Sequence, residues 1–166
     1  MDYQTIDIAR AEPGLRLVLN AGVPGPWSEA AKALFHHHNV AFVPVAQVAG
    51  GANEDLVDWT GHRNAPIAIY EQEPPRTRWI ELLDLAERLG TGPSLLPKDR
   101  AERVEVIGWV NEIAGEGGFG WSCRNLIFDV WAERAGDNLR DANPMLQAYR
   151  FDPTLQGRML DTAKSF

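Results

Sequence analysis

Residues 15–45 read LRLVLNAGVPGPWSEAAKALFHHHNVAFVPV. Residues 15–19 are an apolar run of strand-forming residues, and a loop rich in glycine and proline ends it. Apolar residues then recur at helical spacing to about His38, and Pro26 suits the first turn of that helix. Residues 40–45 are a second strand-type run. Because a strand–helix–strand crossover is right-handed, the sequence predicts a βαβ unit with two parallel strands.

The rest of the chain alternates short elements and then becomes helical. Pro66 belongs at the edge or the first position of its strand, because proline cannot donate a ladder hydrogen bond, and the bond before it is a candidate for the cis form. Asp99 or Lys98 suits the cap of a helix in the helical region. The predicted elements after residue 45 are a helix at 56–59, a strand at 64–70, and helices at 76–89, 99–114, 121–135 and from 153.

The composition limits the classes of function. The 166 residues include 16 Lys+Arg and 23 Asp+Glu, a net charge of -7, so nucleic acid and anionic membranes are poor partners. No apolar run approaches the roughly 20 residues of a membrane span, and the start of the chain lacks a signal peptide, so a cytoplasmic location is expected. Cys123 is the single cysteine of the sequence, which excludes an intrachain disulfide, a Cys-x-x-Cys oxidoreductase and a multi-cysteine metal site.

Three local motifs follow one another along the chain. GPWSE at residues 25–29 begins the first helix, NAPI at 64–67 begins the third strand, and RTRWIELLDLAERL at 76–89 forms the next helix. In this order they resemble the glutathione transferase superfamily, whose members join a thioredoxin-like domain to an all-helical domain. The resemblance implies an α/β plus all-α fold, with a thioredoxin-like domain of order βαβαββα at residues 1–92. An α-helical domain, apparently incomplete relative to the family, is expected at 93–166.

The resemblance also implies where a ligand binds. In cysteine-using members of the superfamily, the first helix begins at the catalytic residue, and a cis-proline element binds the cysteinyl backbone of glutathione. A Glu-Ser-x-x-Ile segment holds the γ-glutamyl end. Carried over to this sequence, glutathione is expected as a co-substrate without a metal ion. The residues expected to bind it are Trp27, Asn64, Ala65, Pro66, Arg76 and Thr77.

Two positions depart from the pattern of the family. Gly25 stands where cysteine-using relatives carry their catalytic cysteine, so covalent thiol chemistry at this position is impossible. Arg76 and Thr77 replace the Glu-Ser pair, and the carboxylate that pairs with the γ-glutamyl ammonium is missing. Ser28 is then the residue predicted to be catalytic, because a hydroxyl at a helix N-terminus stabilises a thiolate. The alternative interpretation is that Ser28 is an ordinary helix-start residue.

Two further segments carry candidate chemistry. The glycine-rich segment at residues 116–121 has neither the spacing of a dinucleotide fingerprint nor the lysine of a phosphate loop. In a transferase-like arrangement, its Phe119 and Trp121 line the pocket for a second substrate, and core packing is the alternative. The histidines at residues 36–38 are consecutive in a helix and are spread about 100° apart, so they cannot converge on one metal ion.

The function expected from the resemblance is that of a glutathione S-transferase-like homodimer. Such a protein binds glutathione and stabilises its thiolate for transfer to an apolar electrophile. The alternative is a non-catalytic scaffold of the same fold, or a binding protein for another small acidic ligand, because an arginine at position 76 favours a carboxylate. The sequence leaves open whether the chain is an enzyme.

Overall fold

The computed structural model describes residues 1–115, 117–124, 126, 127 and 130 of the chain. The chain divides into two compact units, Met1–Leu95 and Leu96–Phe166. Within the described residues, no helix has the length and apolar character needed to cross a membrane.

The first unit contains a mixed three-stranded sheet. Its strands are β1 (Leu15–Asn20), β2 (Phe42–Gln47) and β3 (Ile67–Tyr70), in the order β2-β1-β3. β1 runs parallel to β2 and antiparallel to β3. The predicted parallel pair is therefore confirmed, and the antiparallel third strand matches the predicted thioredoxin-like arrangement.

Four helices belong to this unit: α1 (Ile6–Ala11), α2 (Pro26–His37), α3 (Glu54–Thr60) and α4 (Trp79–Leu89). α2 and α3 occupy the places predicted for them. α1 is not among the predicted elements, because six residues with one buried side chain are too few for a helical period to be recognised.

The core of the first unit lies on both faces of the sheet. Side chains alternate along a strand, so neighbouring residues of β1 point to opposite faces. One cluster joins β1 to α2 and α4, and it includes Leu15, Leu17, Leu19, Ala31, Phe35, Leu82 and Leu85. The other cluster joins the sheet to α1 and α3, and it includes Ala9, Val18, Val45, Leu56, Ile67 and Ile69.

Among the described residues, the observed order of elements differs from the predicted βαβαββα at the last strand. In place of that strand there is one antiparallel bridge, in which Ala68 and Arg76 exchange two backbone hydrogen bonds of 2.9 Å. Because Arg76 is held in this bridge, α4 begins at Trp79 and not at residue 76 as predicted. β3 likewise begins at Ile67, so Pro66 lies just before the strand and gives up no ladder bond.

The second unit contains α5 (Arg100–Ala114). The predicted cap at Asp99 is confirmed, because its Oδ1 accepts hydrogen bonds from the backbone N–H groups of Ala101 (2.9 Å) and Glu102 (3.0 Å). No residue of α5 is buried.

The helix predicted at residues 121–135 is present at residues 119–124, and residues 126, 127 and 130 are also helical. The rest of that helix, and the helix predicted from residue 153, lie outside the described residues.

Candidate functional site

The ends of β1 and β2 lie side by side, with Asn20 opposite Gln47. The backbone N–H of Ala21 continues the pairing by donating to Gln47 O at 2.9 Å. Because the two strands are parallel, the carboxyl ends of both lie here. In α/β sheets, ligands bind beyond the carboxyl ends of parallel strands, so this end of the sheet is the candidate site.

The start of α2 lies at the same end of the sheet. Gly25 is the N-cap residue with extended backbone, and Pro26 occupies the first helical position, as predicted. Glu29 N donates to Gly25 O at 2.9 Å, which closes the first turn. Trp27 is half-buried, whereas Ser28 is only 1% exposed.

Ser28 and Asn20 form a reciprocal pair. The Ser28 hydroxyl donates to Asn20 Oδ1 at 2.7 Å, and the Asn20 backbone N–H donates to Ser28 Oγ at 3.1 Å. A hydroxyl has one proton to donate, and Asn20 receives it. The sequence predicts that Ser28 contacts a ligand directly, whereas the structure places the Ser28 hydroxyl on Asn20.

Gly25 makes room for the Asn20 side chain. A Cβ atom at residue 25 would lie 3.0 Å from Asn20 Oδ1 and 3.2 Å from Asn20 Cγ, closer than about nine in ten contacts of real Cβ atoms. Position 25, to which the resemblance assigns the catalytic cysteine of cysteine-using transferases, is a glycine with an asparagine side chain against it.

Sequence reasoning missed Asn20, which it assigned only to the loop that ends the first strand. The available signal was a polar residue directly after a run of buried strand residues. Tyr3 adds a second contact here, because its hydroxyl donates to Asn20 O at 3.1 Å. Asn20 is therefore tied to the N-terminal segment through its backbone oxygen, and to α2 through its backbone N–H and its side chain.

The loop before β3 contains the predicted cis-proline element. The Ala65–Pro66 peptide bond is cis, as predicted. Gln47 is buried, and its Nε2 donates to the backbone oxygens of Arg63 and Val48, each at 3.0 Å. The loop is thus tied to the end of β2, where Ala65 and Pro66 are half-buried. Asn64, the neighbouring predicted residue, is exposed.

Arg76 is engaged within its own loop. Its guanidinium contacts Glu73 Oε2 at 2.5 Å, and Arg88 contacts the same oxygen at 2.6 Å. The hydrogen bond from Arg88, followed by the one from Arg76, holds the pKa of Glu73 below its ordinary value of 4.5. The Arg76 guanidinium, which the sequence suggested as the partner of an acidic ligand, is therefore paired with the carboxylate of Glu73.

The start of α4 also holds a carboxylate of the chain itself. The backbone N–H groups of Thr77 and Arg78 donate to Glu81 Oε2 at 3.2 and 3.1 Å. This contact satisfies N–H groups that a helix start leaves unpaired. Thr77, which sequence analysis offers to the γ-glutamyl end of glutathione, is therefore next to a negative charge.

The two residues predicted to line a second pocket lie in the second unit. Phe119 is 48% exposed, and Trp121 is half-buried. The guanidinium carbon of Arg124 lies 3.8 Å from the centre of the Trp121 ring, a cation–π contact. The positively charged guanidinium of Arg124 therefore lies against one face of the Trp121 ring.

The three consecutive histidines have separate surroundings. The His36 ring stacks on Phe42 with centroids 5.4 Å apart, and His37 Nε2 lies 2.9 Å from Pro93 O. His38 is buried, with its Nε2 3.4 Å from Glu87 Oε1. Within residues 1–115, 117–124, 126, 127 and 130, no group of three His, Cys, Asp or Glu side chains is arranged to hold a metal ion.

Solved structures with a fold similar to that of this chain include two glutathione S-transferases. The glutathione S-transferase of Methylobacillus flagellatus KT, solved with GSH bound, is 11% identical, with a TM-score of 0.61 over 91% of this chain and 65% of its own. The tau-class glutathione S-transferase MiGSTU from mango, Mangifera indica, is 15% identical, with a TM-score of 0.56 over 92% of this chain and 58% of its own. The chain thus spans less than two thirds of the length of either enzyme.

No protein-family model and no curated protein matches the sequence. The likeness is one of three-dimensional structure. The chain has the glutathione S-transferase fold, and the fold class implied by the sequence motifs is confirmed.

Proposed function

We propose that this chain binds glutathione at the start of α2 and stabilises its thiolate for transfer to an apolar electrophile. The observation that carries the proposal is the glutathione S-transferase fold, which extends over about nine tenths of the chain. The polar pair of Asn20 and Ser28 lies at the end of the sheet where ligands of α/β folds bind.

The proposed contacts follow from the family motifs. The backbone of Ala65, beside Pro66, binds the cysteinyl part of glutathione, with Trp27 and Asn64 alongside. Thr77 hydrogen-bonds the γ-glutamyl end, and Arg76, paired with Glu73, also contacts that end. The alternative of an unrelated small acid depends on the Arg76 guanidinium, which is already paired with Glu73.

For the electrophile, the proposal assigns Phe119 and Trp121. The exposed aromatic surface of Phe119 favours an apolar substrate. The ring of Trp121, with the Arg124 guanidinium against one face, is the second aromatic surface. Glutathione is a co-substrate in this scheme, and no metal ion takes part.

A homodimer in the cytoplasm completes the proposal. Trp109 and Ile113 of α5 are 63% and 55% exposed, and they share a helix face because they are four residues apart. Apolar side chains of this size on one face mark an interaction surface, and a twofold dimer buries such a surface. The net charge of -7 disfavours nucleic acid and anionic membranes as partners.

A second candidate is a non-catalytic binding protein of the same fold. It is favoured by Gly25, which supplies no nucleophile, and by the Ser28 proton, which Asn20 receives. This candidate predicts glutathione binding without transfer activity.

Titration calorimetry with reduced glutathione and with S-hexylglutathione tests the proposal. We expect binding in the micromolar to millimolar range, tighter for the S-hexyl compound because its chain enters an apolar site. Thr77→Ala is expected to weaken binding several-fold, and Glu12→Gln, an exposed residue just after α1, is the matched control that leaves binding unchanged. If neither compound binds, the proposal is wrong. Binding without activity toward a panel of electrophiles supports the second candidate.

A further inference from the structure

We infer that Asn20 is the residue that donates a hydrogen bond to the sulfur of bound glutathione, and that Ser28 is a positioning residue that orients Asn20. The inference rests on the proposed function and assigns to Asn20 the direct contact that the sequence assigns to Ser28. It starts from the two hydrogen bonds between these residues at the end of β1, one from the Ser28 hydroxyl to the Asn20 carboxamide and one from the Asn20 backbone N–H to Ser28 Oγ.

The hydrogen-bonding capacity of Ser28 is used within the chain. Its single proton goes to Asn20 Oδ1 at 2.7 Å, and its oxygen accepts the Asn20 backbone N–H at 3.1 Å. The side chain is also 1% exposed. Direct donation from Ser28 to a ligand would require both burial and an existing hydrogen bond to be given up.

The carboxamide of Asn20 has the opposite properties. Because Oδ1 receives the Ser28 proton, the amide orientation is determined, and Nδ2 with its two protons is the donating end. Asn20 is also partly exposed, at the end of the sheet where a ligand of this fold is expected. The side chain therefore offers an oriented donor to a molecule that arrives from solvent.

Gly25 fits this role for Asn20. A side chain at residue 25 would begin 3.0 Å from Asn20 Oδ1 and would push the carboxamide away. A side chain at position 25 therefore requires the Asn20 carboxamide to shift from its observed position by a few tenths of an ångström. Position 25, just before α2, carries no side chain, and the neutral donor to sulfur lies at the end of β1.

The chemistry is a shift in an ionisation equilibrium. A donor N–H that faces sulfur favours the thiolate over the thiol and lowers the pKa of the thiol. The S–H bond of glutathione breaks and its proton goes to water, while Asn20 keeps both Nδ2 protons. No proton passes through Ser28.

The test is the pKa of glutathione bound to the full chain, measured from the ultraviolet absorbance of the thiolate against pH. Asn20→Ala is expected to raise that pKa by about one unit, a tenfold smaller thiolate fraction below the pKa. Asn20→Asp is expected to raise it at least as much, because a carboxylate repels the thiolate while it still accepts the Ser28 proton, so its fold is retained. Ser28→Ala is expected to give a smaller rise, because the amide remains but is no longer oriented.

The competing outcomes are distinct. If Asn20→Ala and Asn20→Asp leave the pKa unchanged or lower it, while Ser28→Ala raises it, then Ser28 contacts the sulfur and the inference is wrong although the proposed function stands. If the parent chain binds no glutathione, the proposed function and the inference fail together.

Discussion

Asn20 and Ser28 exchange two hydrogen bonds at the end of β1, and the Asn20 side chain lies against Gly25. Each of the three residues is ordinary by itself: a strand end, a helix start and a glycine in a loop. Together they leave position 25 without a side chain and hold the Asn20 carboxamide in one orientation.

Gly25→Ala is expected to lower the free energy of unfolding by about 1 kcal/mol, because the new Cβ displaces Asn20 and disturbs its bonds to Ser28. Urea unfolding measures the change. In an Asn20→Ala background the same substitution meets no carboxamide, so its cost is expected to fall to the part that comes from replacing glycine by alanine at the N-cap. An equal cost in both backgrounds contradicts the contact.

Glu73 is expected to make stability depend on pH in the acidic range. Its pKa in the folded chain is lowered, chiefly by the hydrogen bond from Arg88, so its contribution is fully present above the unfolded pKa and is lost as pH falls through the folded pKa. Glu73→Gln lacks this contribution. The difference in unfolding midpoint between the parent and Glu73→Gln is therefore expected to shrink below pH 4.5.

The ion pairs of Glu73 are partly exposed, so this difference is expected to be small and to decrease with added salt. A difference that stays constant from neutral to acidic pH contradicts the assignment.

At the scale of elements, the start of α4 depends on one side chain. Glu81 accepts hydrogen bonds from the N–H groups of Thr77 and Arg78. Glu81→Ala is expected to cost about 1 kcal/mol of stability, the usual value for loss of a helix cap. Glu81→Gln is the matched control, because its amide oxygen still accepts, and chemical denaturation should rank it between the parent and Glu81→Ala. Equal stability of all three chains argues against the cap.

The elements differ in how well the sequence predicts them. The apolar runs of β1 and β2 and the periodic face of α2 depend on local patterns, so their places are predicted within one to three residues. α1 has too few buried residues for any period. The start of α4 is displaced to Trp79 because Arg76 pairs with Ala68, a partner eight residues away that no local pattern identifies.

The candidate site shows the same division. The cis bond at Ala65–Pro66 follows from a local motif and its place in the chain. The contact of Ser28 with Asn20 depends on which way two side chains point after the strand and the helix have packed. The pairing of Arg76 with Glu73 and Arg88 depends on a turn and a helix together. Sequence motifs therefore indicate a candidate site, whereas the tertiary structure determines the contacts of its side chains.

At the scale of the whole molecule, the proposed homodimer predicts an effect of α5. The parent is expected to sediment as a dimer, and Trp109→Glu is expected to shift it toward monomer, because a charge replaces a large exposed apolar side chain. Arg103→Ala, an exposed polar position of the same helix, is the control and should leave the dimer intact. A parent that is monomeric at every concentration contradicts the proposal.

Binding of glutathione at the start of α2 is the central claim, and two-dimensional NMR of the backbone amides during a titration with reduced glutathione tests it most directly. The account predicts progressive shifts at Asn20, Ser28 and Ala65, with a common dissociation constant in the micromolar to millimolar range. The absence of any shift at millimolar glutathione, or shifts confined to the second unit, would contradict it.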